Sequence, residues 1–353
     1  MSVLEKAIQT IGTLNENAID EATQRQSQLT KPAGSLGKLE TISVQMAGIT
    51  GRMDPPLKNR RVVVMAGDHG VTTEGVSAFP SEVTPQMVYN FLGDGAAINV
   101  LAKQAKATVT VVDMGVGMLI ESNHPQFLDR KVAAGTQNMA TSSAMSRDQA
   151  VQAIETGILM VDYLIDNGGL DILVTGDMGI GNTTPSTAIA SVILDRSPAE
   201  IAGRGTGIDD ATLQHKISVI ERAITLNQPD ASDALDILSK VGGFEIGGIA
   251  GLILGAATHR IPVIVDGFIS TAGALIASRL APASKPFMMS GHQSAEVGHQ
   301  AMLQHLGLPP LIDLDLRLGE GTGAVLALHI VEAAVRTLND MATFAEASVT
   351  NKD

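Results

Sequence analysis

The sequence predicts an α/β fold in which a parallel six-stranded sheet carries helices on both faces. Six short runs of β-branched or other apolar residues recur along the chain, and segments with helical periodicity separate most of them. The run Val62-Val63-Val64-Met65 is continuously apolar, which is typical of a strand buried on both faces of a sheet. The predicted strands comprise residues 61–66, 108–113, 171–175, 262–266, 286–290 and 311–316.

Helical periodicity is clearest in residues 147–165, 209–226 and 294–305, which lie between predicted strands. The chain is also helical in pattern at both ends, in residues 1–26, 36–49 and 323–347. Because neither end contains a predicted strand, we expect a small helical domain formed by residues 1–55 with 324–353. It would pack against a large α/β domain formed by residues 56–323.

Composition excludes several classes of function. The chain has 353 residues, a net charge of -13 and no run of lysine or arginine, so nucleic acid and anionic membranes are not expected partners. Cysteine is absent, which excludes disulfides, thiolate metal sites and a thiol nucleophile. No apolar run reaches the roughly 18 residues of a membrane helix, and the amino terminus lacks the apolar core of a signal peptide. We therefore expect a soluble, cytoplasmic protein.

Glycine-containing loops follow five of the predicted strands. The carboxyl ends of parallel strands share one edge of a sheet, and ligands of open α/β sheets bind at that edge. Five loops are therefore expected to converge on one site, at Gly67, Gly115, Gly176, Gly267 and Ser290-Gly291.

The loop after the third predicted strand has the composition of a phosphate cradle. Gly179 and Gly181 allow backbone N–H groups to face an anion, while Asn182, Thr183 and Thr184 can cap the next helix and add donors. The loop is neither a dinucleotide fingerprint nor a P-loop, because the third glycine of one and the Gly-Lys-Ser/Thr of the other are missing. A tight left-handed turn with a threonine cap explains the same residues equally well.

A second glycine cluster, residues 203–207, precedes another predicted helix that carries Lys216. Lys216 can reach a phosphate held by this cluster, or it can be an ordinary solvated charge on a helix.

Glu320 stands between Gly319 and Gly321, where an apolar run gives way to a helical pattern. A carboxylate in a pocket at such a junction can act as a general base if burial raises its pKa. Alternatively, it only complements the dipole of the helix that follows.

Aromatic residues are scarce in this chain, yet Phe79, Tyr89 and Phe91 occur close together, with Met87 among them. They can wall a flat apolar ligand, or they can simply be core-facing residues of a helix that begins near Ser81.

The histidines His292, His299 and His305 fall near Glu296, which superficially suggests a metal site. Their spacing is not that of the helical two-histidine zinc motif, and no obvious third ligand is present. We expect no metal.

Taken together, these motifs resemble the nicotinate-nucleotide–dimethylbenzimidazole phosphoribosyltransferase family nearly end to end. Two of them are Met178-Gly179-Ile180-Gly181-Asn182-Thr183-Thr184 and Arg317-Leu318-Gly319-Glu320-Gly321-Thr322-Gly323. The other motifs comprise residues 31–37, 66–71, 74–77, 203–207, 242–246 and 266–269.

The resemblance implies a Rossmann-like large domain, a homodimer, and no metal or other cofactor. It implies transfer of ribose 5-phosphate from nicotinate mononucleotide to 5,6-dimethylbenzimidazole, with inversion at the anomeric carbon, for the nucleotide loop of cobalamin. Glu320 takes the place of the family's catalytic base. The implied phosphate and nucleotide contacts are Asp177, Gly179, Gly181, Asn182, Thr183, Gly205, Lys216, Ser290 and Gly291, and the implied base contacts are Phe79, Pro80, Gln86, Met87 and Leu318.

Two positions depart from the family pattern. Asp177 is one methylene shorter than the glutamate of many relatives, and Phe79 replaces a serine before Pro80. Transfer from the same donor to adenine or a phenol therefore stays open as an alternative. A nucleotide-binding sensor is disfavoured by the intact Glu320 loop, and a dehydrogenase by the missing fingerprint.

Overall fold

The computed structural model describes residues 1–351, and its centre is a six-stranded sheet whose strands are all parallel. The strand order β3-β2-β1-β4-β5-β6 is that of the doubly wound α/β fold, in which the order reverses between β1 and β4. The strands are β1 (Arg60–Gly67), β2 (Thr108–Gly115), β3 (Phe127–Asp129), β4 (Ile172–Met178), β5 (Val263–Val265) and β6 (Met288–Ser290).

The main sheet has the predicted number of six strands, but one of the six predicted segments does not belong to it. Residues 311–316 do not join the main sheet; instead β8 (Ile312–Asp313) pairs with β7 (His292–Gln293) in a separate two-stranded sheet. The edge position is taken by β3, which has only three residues and no sequence pattern that predicts a strand. The leucine-rich run of residues 311–316 therefore predicted a buried strand wrongly, since none of its residues is buried.

Helices cover both faces of the sheet, as predicted. Val63 and Met65 of β1 join a core with α6 and α11, whereas Val62 and Val64 join a core with α14 on the opposite face. The helices are α1 (Val3–Thr10), α2 (Glu16–Gln28), α3 (Lys38–Thr50), α4 (Val83–Leu92), α5 (Ala97–Gln104), α6 (Arg147–Asp166), α7 (Thr183–Leu194), α8 (Pro198–Ile201), α9 (Asp210–Asn227), α10 (Ala234–Val241), α11 (Phe244–Thr258), α12 (Phe268–Leu280), α13 (His299–Leu306) and α14 (Thr322–Asp340). Within residues 1–351, no helix is both long and apolar enough to cross a membrane.

The helix predictions hold for 147–165, 209–226 and 36–49, which are α6, α9 and α3 within two residues. The prediction for 294–305 was wrong at its start, because α13 begins only at His299. The Ser294 N–H donates to Nδ1 of His299 over 2.8 Å, which closes a turn ahead of the helix. Residues 1–26 form two helices rather than one.

The two ends of the chain meet. The Thr30 N–H donates to the carbonyl of Ala342 over 3.0 Å, and the Arg25 guanidinium donates to the carbonyl of Leu338 over 2.8 Å. The first half of α14, however, packs on the sheet, where Val325 and Leu328 join the same core as Val62. The division into domains 1–55 with 324–353 and 56–323 therefore stays a prediction, and its last two residues, 352 and 353, lie outside the described residues.

Glycines allow α6 and α11 to pack backbone to backbone. A Cβ on Gly157 of α6 would overlap the carbonyl of Gly248, and a Cβ on Gly251 of α11 would overlap the carbonyl of Ile154. Neither neighbour is a side chain that can swing away. The close approach of these helices to each other depends on the missing methyl groups.

We expect Gly157→Ala to destabilise the protein by about 1–3 kcal/mol, because overpacking outweighs the better helix propensity of alanine. Chemical denaturation measures this change. The matched control is Gly12→Ala, since a Cβ on Gly12 meets no atom within 4 Å. Equal stability of the Gly157 variant and the control would show that the two helices can separate at little cost.

Candidate active site

A cavity of about 470 Å³ lies at the carboxyl ends of β4 and β5, beside the point where the strand order reverses between β1 and β4. Three of the five predicted loops reach it, the loops after β4 and β5 with their glycines and the loop after β6 with His292 rather than with Ser290-Gly291. The glycine turns after β1 and β2 lie beneath these three loops. The two turns are joined by a hydrogen bond of 2.7 Å from the Gly117 N–H to Oδ2 of Asp68. The predicted convergence is therefore confirmed for three loops. The site is completed by the segment ahead of α4 and the loop ahead of α14.

Glu320 lines this cavity in an unusual backbone conformation. Gly319, Glu320 and Gly321 all have positive φ angles, of 86°, 64° and 93°. A glutamate in the left-handed region costs free energy and persists only when surrounding contacts hold it. One such contact is the Glu320 N–H, which donates to the carbonyl of Asp177 over 3.2 Å. The backbone of Glu320 also packs closely against Gly176, where an added Cβ would lie 2.5 Å from the Glu320 carbonyl oxygen.

The side chain of Glu320 is 4% exposed, and its Oε2 accepts a hydrogen bond of 3.1 Å from the Ile98 N–H. Burial raises the pKa of Glu320 and the charge of Asp266 adds to this, while the Ile98 N–H acts in the opposite direction. The bonded N–H belongs to the first turn of α5, not to α14. The carboxylate thus complements the amino terminus of α5, and its raised pKa suits a proton acceptor.

Asp266 holds the start of α14 in place. Its Oδ2 accepts from the Gly321 N–H over 3.2 Å, and its Oδ1 accepts from the Ala324 N–H over 2.9 Å. The carboxylate is completely buried, and Nε2 of His292 lies 3.6 Å from Oδ1. Burial raises the pKa of Asp266, and the charge of His292 opposes this. Asp266 therefore fixes the turn that carries Glu320; sequence reasoning noted it only within a family motif.

Asp177 lies next to Glu320 on the floor of the cavity. Its Oδ2 accepts a hydrogen bond of 3.1 Å from the Asn182 side chain, and its Oδ1 is buried without a partner among residues 1–351. Burial raises the pKa of Asp177 well above its usual range, and the charges of Asp266 and Glu245 raise it further. Because the Asn182 side chain bonds Asp177, it makes no capping hydrogen bond to α7. The prediction that Asn182 caps this helix with its side chain was therefore wrong.

The opposite end of the cavity has the features of an anion site. Thr183 opens α7, whose amino terminus can receive negative charge, and its hydroxyl oxygen accepts a hydrogen bond of 2.7 Å from the Lys216 ammonium. The same ammonium donates to the carbonyl of Gly203 over 3.3 Å. Gly179, Gly181 and Gly205 also line this end. Gly181 does adopt the left-handed conformation of a tight turn, and it does so on the cavity wall.

Lys216 is not a solvated helix charge, so that interpretation was wrong. It is 1% exposed, and burial lowers its pKa to about 8, although the charge of Glu296 opposes the change. A second cation, Arg317, lines the cavity and donates from its guanidinium to the carbonyl of Gly205 over 3.0 Å.

Apolar side chains contribute to the lining of the cavity together with Glu320. Phe79 and Leu318 are 52% and 57% exposed, and Met87 lies half-buried beside them. Tyr89 and Phe91 do not take part, because Phe91 is in the core and the Tyr89 hydroxyl accepts from the Glu121 N–H.

Five predicted site residues do not line the cavity: Pro80, Gln86, Lys216, Ser290 and Gly291. Lys216 lies behind the lining and contacts it through the Thr183 hydroxyl. Gly291 packs on α14, where a Cβ would lie 2.5 Å from Cα of Ala324. The Ser290 hydroxyl, in turn, donates to the carbonyl of His292 over 3.4 Å. Their roles in binding stay predictions.

Sequence reasoning missed several residues at this site. His292, Ser294 and Glu296 line the cavity. His292 and Glu296 were considered as metal ligands, and Ser294 was not a candidate. Beneath Gly179, Nε2 of His69 lies 2.9 Å from Oε1 of Glu245, and both side chains are buried. Burial lowers the pKa of His69, but the charge of Glu245, the hydrogen bond to it and the charge of Asp68 together outweigh this, so the pKa is raised. Among residues 1–351, no three His, Asp or Glu side chains are arranged to hold a metal ion.

Comparison with known proteins gives consistent matches over the whole chain. A family model described as Phosphoribosyltransferase matches residues 11–349. The nicotinate-nucleotide–dimethylbenzimidazole phosphoribosyltransferase of Chloroflexus aggregans is 57% identical over 352 residues, which are 100% of this chain and 99% of that protein. The protein of the same name from Roseiflexus sp. strain RS-1 is 56% identical with the same coverage. The crystal structure of the Thermus thermophilus protein of that description has a TM-score of 0.91 and 43% identity, covering 96% of this chain and 100% of that one.

We expect Gly181→Ala to raise the Kd for inorganic phosphate or a nucleoside monophosphate about tenfold or more. Its φ is +85°, and an added Cβ would lie 2.7 Å from Cγ2 of Thr72, so the loop must shift and lose at least one charge-assisted hydrogen bond to the anion. Calorimetric titration measures the Kd.

The matched control is Gly307→Ala, because Gly307 also has a positive φ, of +70°, but has no atom within 4 Å of the added Cβ. It should carry the same backbone strain without weakening phosphate binding. If both variants bind phosphate like the unmodified protein, this loop is a structural turn only.

Proposed function

The chain belongs to the phosphoribosyltransferase family, and on this premise we propose that it transfers ribose 5-phosphate from nicotinate mononucleotide to 5,6-dimethylbenzimidazole. The products are α-ribazole 5′-phosphate, for the nucleotide loop of cobalamin, and nicotinate. The observation that carries the proposal is the content of one cavity. Its lining combines a buried carboxylate with a raised pKa, Glu320, with the apolar side chains of Phe79, Met87 and Leu318 and with Thr183, whose hydroxyl is bonded to the Lys216 ammonium.

Each end of the cavity suits one substrate. The phosphate of the donor fits the amino terminus of α7 with Lys216 and the backbone of Gly181 and Gly205, since phosphates bind well at helix amino termini. The flat bicyclic acceptor fits between Phe79 and Leu318, with Met87 adapting to its width. The anomeric carbon then lies between the two ends, near Glu320 and Asp177.

The chemistry requires one base and no acid. The unprotonated ring nitrogen of dimethylbenzimidazole attacks the anomeric carbon from the α face, and the bond from that carbon to the pyridinium nitrogen breaks. The bonding electron pair returns to the pyridinium ring, so nicotinate leaves without needing a proton. The other acceptor nitrogen loses its proton to Glu320, and configuration at the anomeric carbon inverts.

The three carboxyl groups Glu320, Asp177 and Asp266 have different roles in the proposed reaction. Glu320 must be ionised to accept the proton, whereas Asp177 has a strongly raised pKa and so tends to carry one. Protonated Asp177 adds no second negative charge beside Glu320 and can donate a hydrogen bond to a substrate. Asp266 acts indirectly, by holding the turn that positions Glu320.

The same donor with adenine or a phenol as acceptor is the alternative, and competition between bases followed by chromatography of the products decides between them. The homodimer and the cytoplasmic location also stay predictions. The uncovered surfaces of Phe79 and Leu318 at the cavity mouth are compatible with cover by a second copy.

We expect Glu320→Gln to lower kcat by about 10²–10⁴-fold, the usual contribution of a positioned base, while the Kd for nicotinate mononucleotide stays nearly unchanged. Release of nicotinate, followed by chromatography, measures kcat. Turnover close to that of the unmodified enzyme would show that Glu320 is not the base.

The pH profile gives the second readout of Glu320. Because the base must be ionised and its pKa is raised, kcat/KM should fall as pH drops through a value above that of an ordinary glutamate. This acidic limb should be absent in Glu320→Gln.

We expect Phe79→Ala and Met87→Ala each to raise the KM for dimethylbenzimidazole about tenfold, because each removes apolar surface that would cover the base. The KM for nicotinate mononucleotide should change little. The control is Tyr89→Ala, which truncates a neighbouring aromatic side chain that points away from the cavity. Equal effects on both substrates would show that this segment serves packing rather than acceptor binding.

A further inference from the structure

A carboxylate with no role in the reaction described above lines the anion end of the cavity. Glu296 is 7% exposed and lies on the cavity wall. A Cβ on Gly203 would overlap its Oε2, so the carboxylate rests directly on the backbone of the 203–207 loop. That oxygen is buried and has no hydrogen-bond partner among residues 1–351. The Lys216 ammonium directs two of its N–H groups elsewhere, to Thr183 and Gly203.

A buried carboxylate oxygen without a donor is costly, and such groups in native proteins usually face a ligand or ordered water. The ligand that would reach Glu296 must therefore bring hydrogen-bond donors. The phosphate of the donor cannot supply them, since its oxygens mainly accept hydrogen bonds and its charge repels a carboxylate. Ionised nicotinate has no donor either, and the N–H of the benzimidazole belongs to the opposite end, at Glu320.

The only remaining donors on either substrate are the ribose hydroxyls. They lie between the phosphate and the anomeric carbon, which is the part of the donor that would pass Glu296. An acidic side chain that accepts from ribose hydroxyls is a recurrent solution in nucleotide-binding proteins, because a carboxylate accepts from both neighbouring hydroxyls.

Building on the proposed function, we infer that Glu296 binds the ribose hydroxyls of the donor and makes the enzyme selective for ribonucleotides over deoxyribonucleotides. Asp177 is the other cavity carboxylate with an unbonded oxygen, but it lies against Gly319 at the reacting end. Glu296 is the one that adjoins the phosphate end.

The test compares nicotinate mononucleotide with its 2′-deoxy and 3′-deoxy analogues as donors, using dimethylbenzimidazole as acceptor. A hydrogen bond to a charged group corresponds to about 10- to 100-fold, so the unmodified enzyme should prefer the ribonucleotide over at least one analogue by that factor in kcat/KM. Glu296→Met, which removes both acceptor oxygens, should reduce the preference to about threefold or less, and Glu296→Gln should leave an intermediate preference. Asp177→Asn should keep the preference of the unmodified enzyme.

Two results would overturn the inference. One is a Glu296→Met protein, folded by circular dichroism, that loses activity equally with all three donors, as a merely structural role predicts. The other is loss of the ribose preference in Asp177→Asn instead. Calorimetric Kd values for the same three donors without acceptor separate this inference from the proposed function. A ribose preference in binding that depends on Glu296, without transfer to dimethylbenzimidazole, would refute only the proposed reaction.

Discussion

The geometry of the site depends on the contact between the Asp266 carboxylate and the start of α14. This side chain stands at the carboxyl end of β5 and accepts hydrogen bonds from the N–H groups of Gly321 and Ala324. The turn before α14 places three successive residues in the left-handed region, which is unfavourable for Glu320. Two hydrogen bonds to a buried charge offset that cost. Without these two hydrogen bonds, the left-handed conformation of Glu320 would not be stabilised, and its carboxylate would not be held in the cavity.

The same arrangement concentrates negative charge. Asp177, Asp266, Glu245 and Glu320 are all buried, and the pKa of Asp177 is raised by burial and then by the other three charges. Such a cluster can persist only if protons or nearby cations neutralise part of it. The structure provides both, through the strongly raised pKa of Asp177 and through His69, whose raised pKa favours the charged imidazolium beside Glu245. Glu320 can then be ionised when an acceptor base arrives.

Much of the fold follows from local sequence patterns, and its exceptions have physical causes. Long apolar strands such as β1 are predicted because residues 62–67 are all buried between two layers of helices. The strand β3 is too short to have a pattern. Residues 311–316 alternate leucine or isoleucine with aspartate but are not buried, and only Ile312 and Asp313 form a strand, in the small second sheet. The site was predicted where glycines mark turns at strand ends. It was missed where a single polar side chain, such as Asp266 or Glu296, acts through contacts with distant segments.

In a protein with a net charge of -13, an anionic donor can bind only where basic side chains or helix amino termini offset that charge. Behind the Thr183 lining of this cavity lies one buried ammonium, Lys216, whose pKa of about 8 leaves it mostly protonated at neutral pH. Burial disfavours that charge, and the neighbouring carboxylate of Glu296 favours it. A phosphate at α7 would favour it further, so donor binding and protonation of Lys216 support each other. Glu296 thus serves the free enzyme as well as the donor complex, because it keeps Lys216 charged before the phosphate arrives.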